Sequence, residues 1–260
     1  MSAVAAPAAA AGPRPDQHAR PGLARLTHVE LRKMVDTRAG MWLLITTAGL
    51  TLLAVVIVAI AGEGSDLHYD SMLEVALAPA SILLPVIGIL LVSSEWTQRT
   101  ALTTFALVPQ RGRVLLAKLG AGLVLAVAAF LLCAAVAAVT VAVSAPSGDG
   151  VWSIPAGLLL QDVLAMATGM AMGIGFGAAL LASAPAIVLY FGLPMAFGIL
   201  GSFSFFAKVA DWVDQSQALM PMTSELMSGD QWARAIVALL IWMVLPLAIG
   251  TWRVRREELK

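Results

Sequence analysis

The sequence predicts an all-α integral membrane protein: six transmembrane helices preceded by an amphipathic interfacial helix, with both the N and C termini cytoplasmic. Three observations predict it. The mean hydropathy is +0.88 and only 12% of residues are charged, about half the usual share of a soluble domain, so the solvent for most of the chain is lipid. Six apolar runs, at 41–61, 75–94, 114–143, 158–182, 186–207 and 235–252, each lie near the roughly 20 residues that cross about 30 Å of hydrocarbon. The cationic residues, finally, collect at the two ends of the chain and in a single internal segment, 95–118.

The chain begins with a stretch rich in Ala and Pro, 1–21, too poor in large apolar side chains to bury a core, and is expected to be a disordered tail. It lacks the charged region and apolar core of a cleavable signal peptide, so the first span is expected to serve as an uncleaved signal anchor. Residues 22–40 read as a helix on the membrane surface. At 100° per residue Leu23, Leu26, Leu31, Met34 and Val35 share one broad face and Arg25, Arg32, Lys33 and Asp36 the other, with Glu30 intruding at the apolar edge. A plain cytoplasmic extension of the first span is the alternative. The six spans form one transmembrane domain over 41–252, and 253–260 is a short basic tail.

Six basic residues precede the first span (Arg14, Arg20, Arg25, Arg32, Lys33, Arg38), four lie at 95–118 (Arg99, Arg111, Arg113, Lys118), and four follow the last span (Arg253, Arg255, Arg256, Lys260). Lys and Arg gather in cytoplasmic loops, and an even number of spans returns the chain to the side it left. Both arguments place these fourteen of the sixteen basic residues in the cytoplasm. The opposite connections are acidic, with Glu63, Asp66, Asp70 and Glu74 before the second span and Asp211, Asp214, Glu225 and Asp230 before the sixth. The long segment 203–232 carries Phe205, Phe206, Val209, Trp212 and Val213 at helical spacings, which suggests a re-entrant or interfacial element on the outer side.

Soluble chemistry finds no foothold. The chain has no HExxH, GxSxG or phosphate-binding GxxxxGK[ST] pattern, so no catalytic residue and no metal or cofactor site is expected. His18, His28 and His68 are isolated, and the single Cys133 sits inside an apolar run as a small hydrophobe. No basic patch with interleaved aromatics points to nucleic acid. No span carries an ionisable residue near its centre, which argues against an ion-driven carrier. Asp162, at the outer end of the fourth span, reads as an interfacial, solvated carboxylate.

Gly169, Gly173 and Gly177 form two overlapping GxxxG repeats that expose backbone for close helix packing, within the subunit or across a dimer. Pro79, Pro85, Pro194 and Pro246 lie inside spans, where proline removes a backbone hydrogen bond. Pro85, Phe191, Pro194 and Met195 are the candidates for a substrate path.

Between the second and third spans, Glu95, Thr100, Pro109, Arg111 and Lys118 fall in the arrangement E-x4-T-x8-P-x-R-x6-K. This segment resembles the cytoplasmic loop of ATP-binding-cassette (ABC) transporter permeases of the type-2 exporter family, and the layout of residues 22–260 is similar to theirs. The resemblance implies a bacterial plasma-membrane permease that pairs with a second permease, identical or not, and with separate ABC ATP-binding subunits that hold ATP and Mg. The coupling residues it implies are Glu95, Arg99, Thr100, Leu102, Phe105, Pro109, Arg111 and Arg113. Ala101, Leu102 and Phe105 would form a small apolar plug ringed by Glu95, Arg99, Arg111 and Arg113. Pro109 disfavours helix at Val108, which would make the plug a separate element. A membrane assembly or sensor subunit that binds a cytoplasmic partner without moving substrate is the alternative reading.

Overall fold

All regular structure is helical along the residues that the computed structural model describes: 22–98, 100, 110–203, 205 and 207–256, apart from the side chains of Ser65, Asp66, Ala207 and Lys208. The first helix, α1 (Leu23–Asp36), stops at Thr37, whose backbone is extended and whose Oγ1 accepts a hydrogen bond from the Gly40 N–H at 3.2 Å. That cap opens α2 (Arg38–Ala61). A Cβ on Gly40 would overlap the carbonyl of Met34, so glycine lets α2 start hard against the last turn of α1. The chain continues through a 3-10 turn (Gly64–Leu67), α3 (Tyr69–Thr97), α4 (Arg111–Ser144), α5 (Ala156–Leu180) and α6 (Ser183–Gly201). Three short helices follow, α7 (Ala207–Val213), α8 (Gln215–Leu219) and α9 (Pro221–Ser224). The last span is α10 (Gly229–Leu239), a π-helical turn (Leu240–Val244) and α11 (Leu245–Arg256) without a break.

Six helices are long and apolar enough to cross a membrane, in the order expected from hydropathy. Their ends differ from the hydropathy boundaries because backbone hydrogen bonding carries a helix past the apolar run. Thus α3 begins at Tyr69 rather than 75, and the sixth helix begins at Gly229 rather than 235, started by a capping box between Ser228 and Gln231. The fifth is shorter than expected. It stops at Gly201, where a Cβ would come within 2.7 Å of the Ala210 Cβ, because the chain folds back on itself there.

The centre of the molecule is the pair α3 and α5. Of their most apolar stretches 56% and 50% are buried, against 17% in α2 and 11% in α6. The reason is visible in the glycines. Gly173 lies against the backbone of Pro85, where any Cβ would overlap the proline carbonyl, and a Cβ on Gly177 would be 2.7 Å from the Ile89 carbonyl oxygen. From the other side Gly88 meets Met170, with 2.9 Å between a built Cβ and its Sδ. Two backbones in such contact gain dispersion along their length, the main source of helix association in lipid. Leu84, Ile87, Met170 and Ile174 fill the remaining space and are almost wholly buried.

At the acidic end, the short helices are pinned to the bundle. Trp242, in the π-helical turn, donates from Nε1 to the Val213 carbonyl at 2.7 Å, and its ring meets Phe197 edge-on at 5.4 Å between centroids. Asp214 is buried and caps α8 through the Ser216 N–H at 2.9 Å. Gln161 of α5 donates to the carbonyls of Met222 and Glu225 at 3.2 and 2.7 Å and accepts from the Met227 N–H at 3.1 Å.

Candidate functional site

At the opposite end, four charged side chains from three helices close on one another. Lys118 sits two turns into α4, and only 4% of its side chain is exposed. An ammonium has three donors, and here each finds an oxygen: Glu30 Oε2 of α1 at 2.6 Å, Glu95 Oε1 of α3 at 3.0 Å, and the carbonyl of Leu91, one turn before Glu95, at 3.0 Å. Lys33 of α1 bonds the same two carboxylates from the wet side, at 2.6 Å to Glu30 and 2.8 Å to Glu95. Two cations face two anions, so the cluster is neutral.

A buried ion pair roughly breaks even against apolar packing, but removing one member strands a charge in low dielectric. The cluster therefore contributes less by its net strength than by the penalty for pulling its helices apart. Burial by itself lowers the pKa of Lys33; the hydrogen bonds and charges of Glu30 and Glu95 outweigh that and raise it above its ordinary value. The packing of α1 supports the arrangement. Thr27 lies beside Gly120 of α4, where a Cβ would come within 3.2 Å of its Oγ1, and Met34 is buried.

The remaining helices are tied in at the same end. Arg111 donates to the Val254 carbonyl at 2.8 Å, Arg253 to the Ala179 carbonyl at 2.7 Å, and the hydroxyls of Ser93 and Ser183 share a hydrogen bond of 2.8 Å. Thr100 is exposed, and its N–H bonds back to the Glu95 carbonyl at 2.9 Å. Arg113 donates to Gln110 at 3.3 Å. A groove of about 770 Å³ runs past Lys33, Arg38, Glu95 and Thr100, and another of about 720 Å³ past Arg111, Arg113 and Arg255.

Two expectations change. Glu95 does not stand on the exposed surround of a plug: it turns inward to Lys118, and Lys33 reaches in from the polar face of α1 to join it. Asp162 is not a solvated interfacial carboxylate; it is 4% exposed, set between α3 and Thr223 of α9, and the neighbouring Gln161 holds α9 and the turn after it over the end of α5. Arg99, Leu102, Phe105 and Pro109 lie outside the described residues. Among the substrate-path candidates, Pro85 faces a cavity between α3 and α5, Pro194 is buried, and Phe191 and Met195 are 40% and 71% exposed on α6.

Glu30 is the member that sequence reasoning missed. Its signal was present as a carboxylate on an otherwise apolar helix edge, matched by Lys118 inside the third apolar run. Among the described residues no three His, Cys, Asp or Glu are grouped to hold a metal ion. In comparisons with known proteins, no family model matches the chain and no curated protein matches it.

Proposed function

We propose that this chain is the permease subunit of an ABC exporter in the bacterial plasma membrane. It would pair with a second permease and take force through residues 95–113 from a separate ATP-binding subunit. The observation that carries this reading is the Lys118 cluster. It joins α1 to the adjoining ends of α3 and α4, the two helices that lead into and out of the 95–113 segment. A push on that segment then reaches three helices as one body, as a coupling device requires. The basic end faces the cytoplasm in this reading, with α1 along the membrane surface. The two grooves beside Thr100 and Arg113 offer a partner room to seat.

The test is co-expression with an ATP-binding subunit, followed by co-purification and ATP hydrolysis with and without this chain. Stimulated hydrolysis together with cargo flux supports the exporter. Co-purification without either result favours the assembly or sensor subunit. The double variant Leu102→Asp, Phe105→Asp should abolish assembly, and a normal yield of complex from it would count against the coupling role.

A further inference from the structure

At the acidic end a cavity of about 220 Å³ lies between α3 and α5. Its mouth carries Asp70 and Glu74, both exposed, and its wall carries Asp162, which is 4% exposed. Among the described residues Asp162 has neither an ion-pair nor a hydrogen-bond partner, and no Lys or Arg lines the cavity. The deeper surface is apolar, with Leu84, Pro85 and Met166.

The contrast with the other end is chemical. There every buried carboxylate meets an ammonium of the same chain. Here a buried carboxylate faces open space, and holding it charged without a counter-ion costs several kcal/mol. The space is far larger than the 10–15 Å³ or so that a single water needs, and its apolar walls suit an organic body better than a hydrated ion.

We propose that this cavity binds a small organic ammonium ion, with the cationic head on Asp162, Asp70 and Glu74 attracting it from the mouth, and an alkyl or aryl body against Leu84, Pro85 and Met166. As the substrate class of the exporter this rests on the proposed function; as a binding site it does not.

The test uses the full chain in lipid nanodiscs and tritiated 2-phenylethylammonium at neutral pH, with 2-phenylethanol as the neutral isostere. Saturable binding is expected, with the alcohol competing at least about tenfold more weakly. Asp162→Asn should weaken binding about tenfold or more, the loss of one favourable interaction of roughly 1.4 kcal/mol. Leu84→Trp should block the cavity with Asp162 intact. Absence of saturable binding, equal competition by the alcohol, or unchanged affinity in Asp162→Asn would overturn the proposal. A markedly lower melting temperature of Asp162→Asn in the absence of probe would overturn it too, by marking Asp162 as a structural acid. The exporter reading fails separately, by unstimulated ATP hydrolysis in a chain that still binds the probe.

Discussion

Lys118 and Glu30 lie 88 positions apart in sequence, and their charged atoms meet at 2.6 Å inside the protein. Lys118→Met leaves Glu30 and Glu95 sharing only Lys33. It should cost roughly 3–5 kcal/mol, the range for breaking a buried pair. The double variant Glu30→Gln, Lys118→Met keeps Lys33 against Glu95 and should lose clearly less. Thermal melting of the four proteins of this cycle in nanodiscs gives the coupling directly.

Lys33 gives the same cluster a pH limit. Its pKa in the folded protein is raised above the ordinary 10.5, so its contribution is complete below that value and is lost as the pH climbs through the raised one. Melting temperatures should show an alkaline decline above about pH 10.5 that Lys33→Met removes. An identical alkaline profile in that variant would show that Lys33 does not hold α1.

Gly173→Ala places a methyl group on the Pro85 carbonyl and should destabilise by about 1–3 kcal/mol, the usual cost of overpacking. Gly192→Ala, with nothing within 4 Å, is the control and should be neutral or slightly stabilising. Equal melting temperatures for the two variants would contradict the close contact of α3 and α5.

Gln161→Leu removes three hydrogen bonds to the segment above α5. It leaves two carbonyls and one N–H without partners, at about 1–3 kcal/mol for each one that water does not reach. Limited proteolysis should then cut between 214 and 228 faster than in the wild type. Trp242→Phe, which frees the Val213 carbonyl, should act in the same direction.

Sidedness can be read with single cysteines, because the native Cys133 is buried and is replaced by Ala in the background. On intact cells an impermeant maleimide should label Asp149→Cys, and Arg113→Cys only after permeabilisation. Labelling of Arg113→Cys from outside would reverse the orientation and remove the coupling role of 95–113.

The six spans were legible in the sequence because lipid solvation demands long apolar helices, and hydropathy reads that demand directly. The spacing of Gly169, Gly173 and Gly177 likewise marked a face for close approach, although it did not name α3 as the neighbour. Glu30 was visible only as an irregularity, since the lysine that explains it arrives three helices later. Asp162 was misjudged because its position at the end of an apolar run suggests an interface. It is buried among α3 residues and Thr223, and the neighbouring Gln161 bonds a segment some 60 residues further on over the same end of α5. Local pattern sets each helix; which buried charge is answered, and which is left facing a void, depends on partners far along the chain.

Only 11% of the apolar stretch of α6 is enclosed by its own polypeptide. Its tilt is therefore governed by whatever presses on its bare sides, acyl tails or a neighbouring protein. Thickness mismatch acts at fractions of a kcal/mol per Å, so lengthening the lipids by a few carbons should tip α6 well before it disturbs the clasped backbones of α3 and α5.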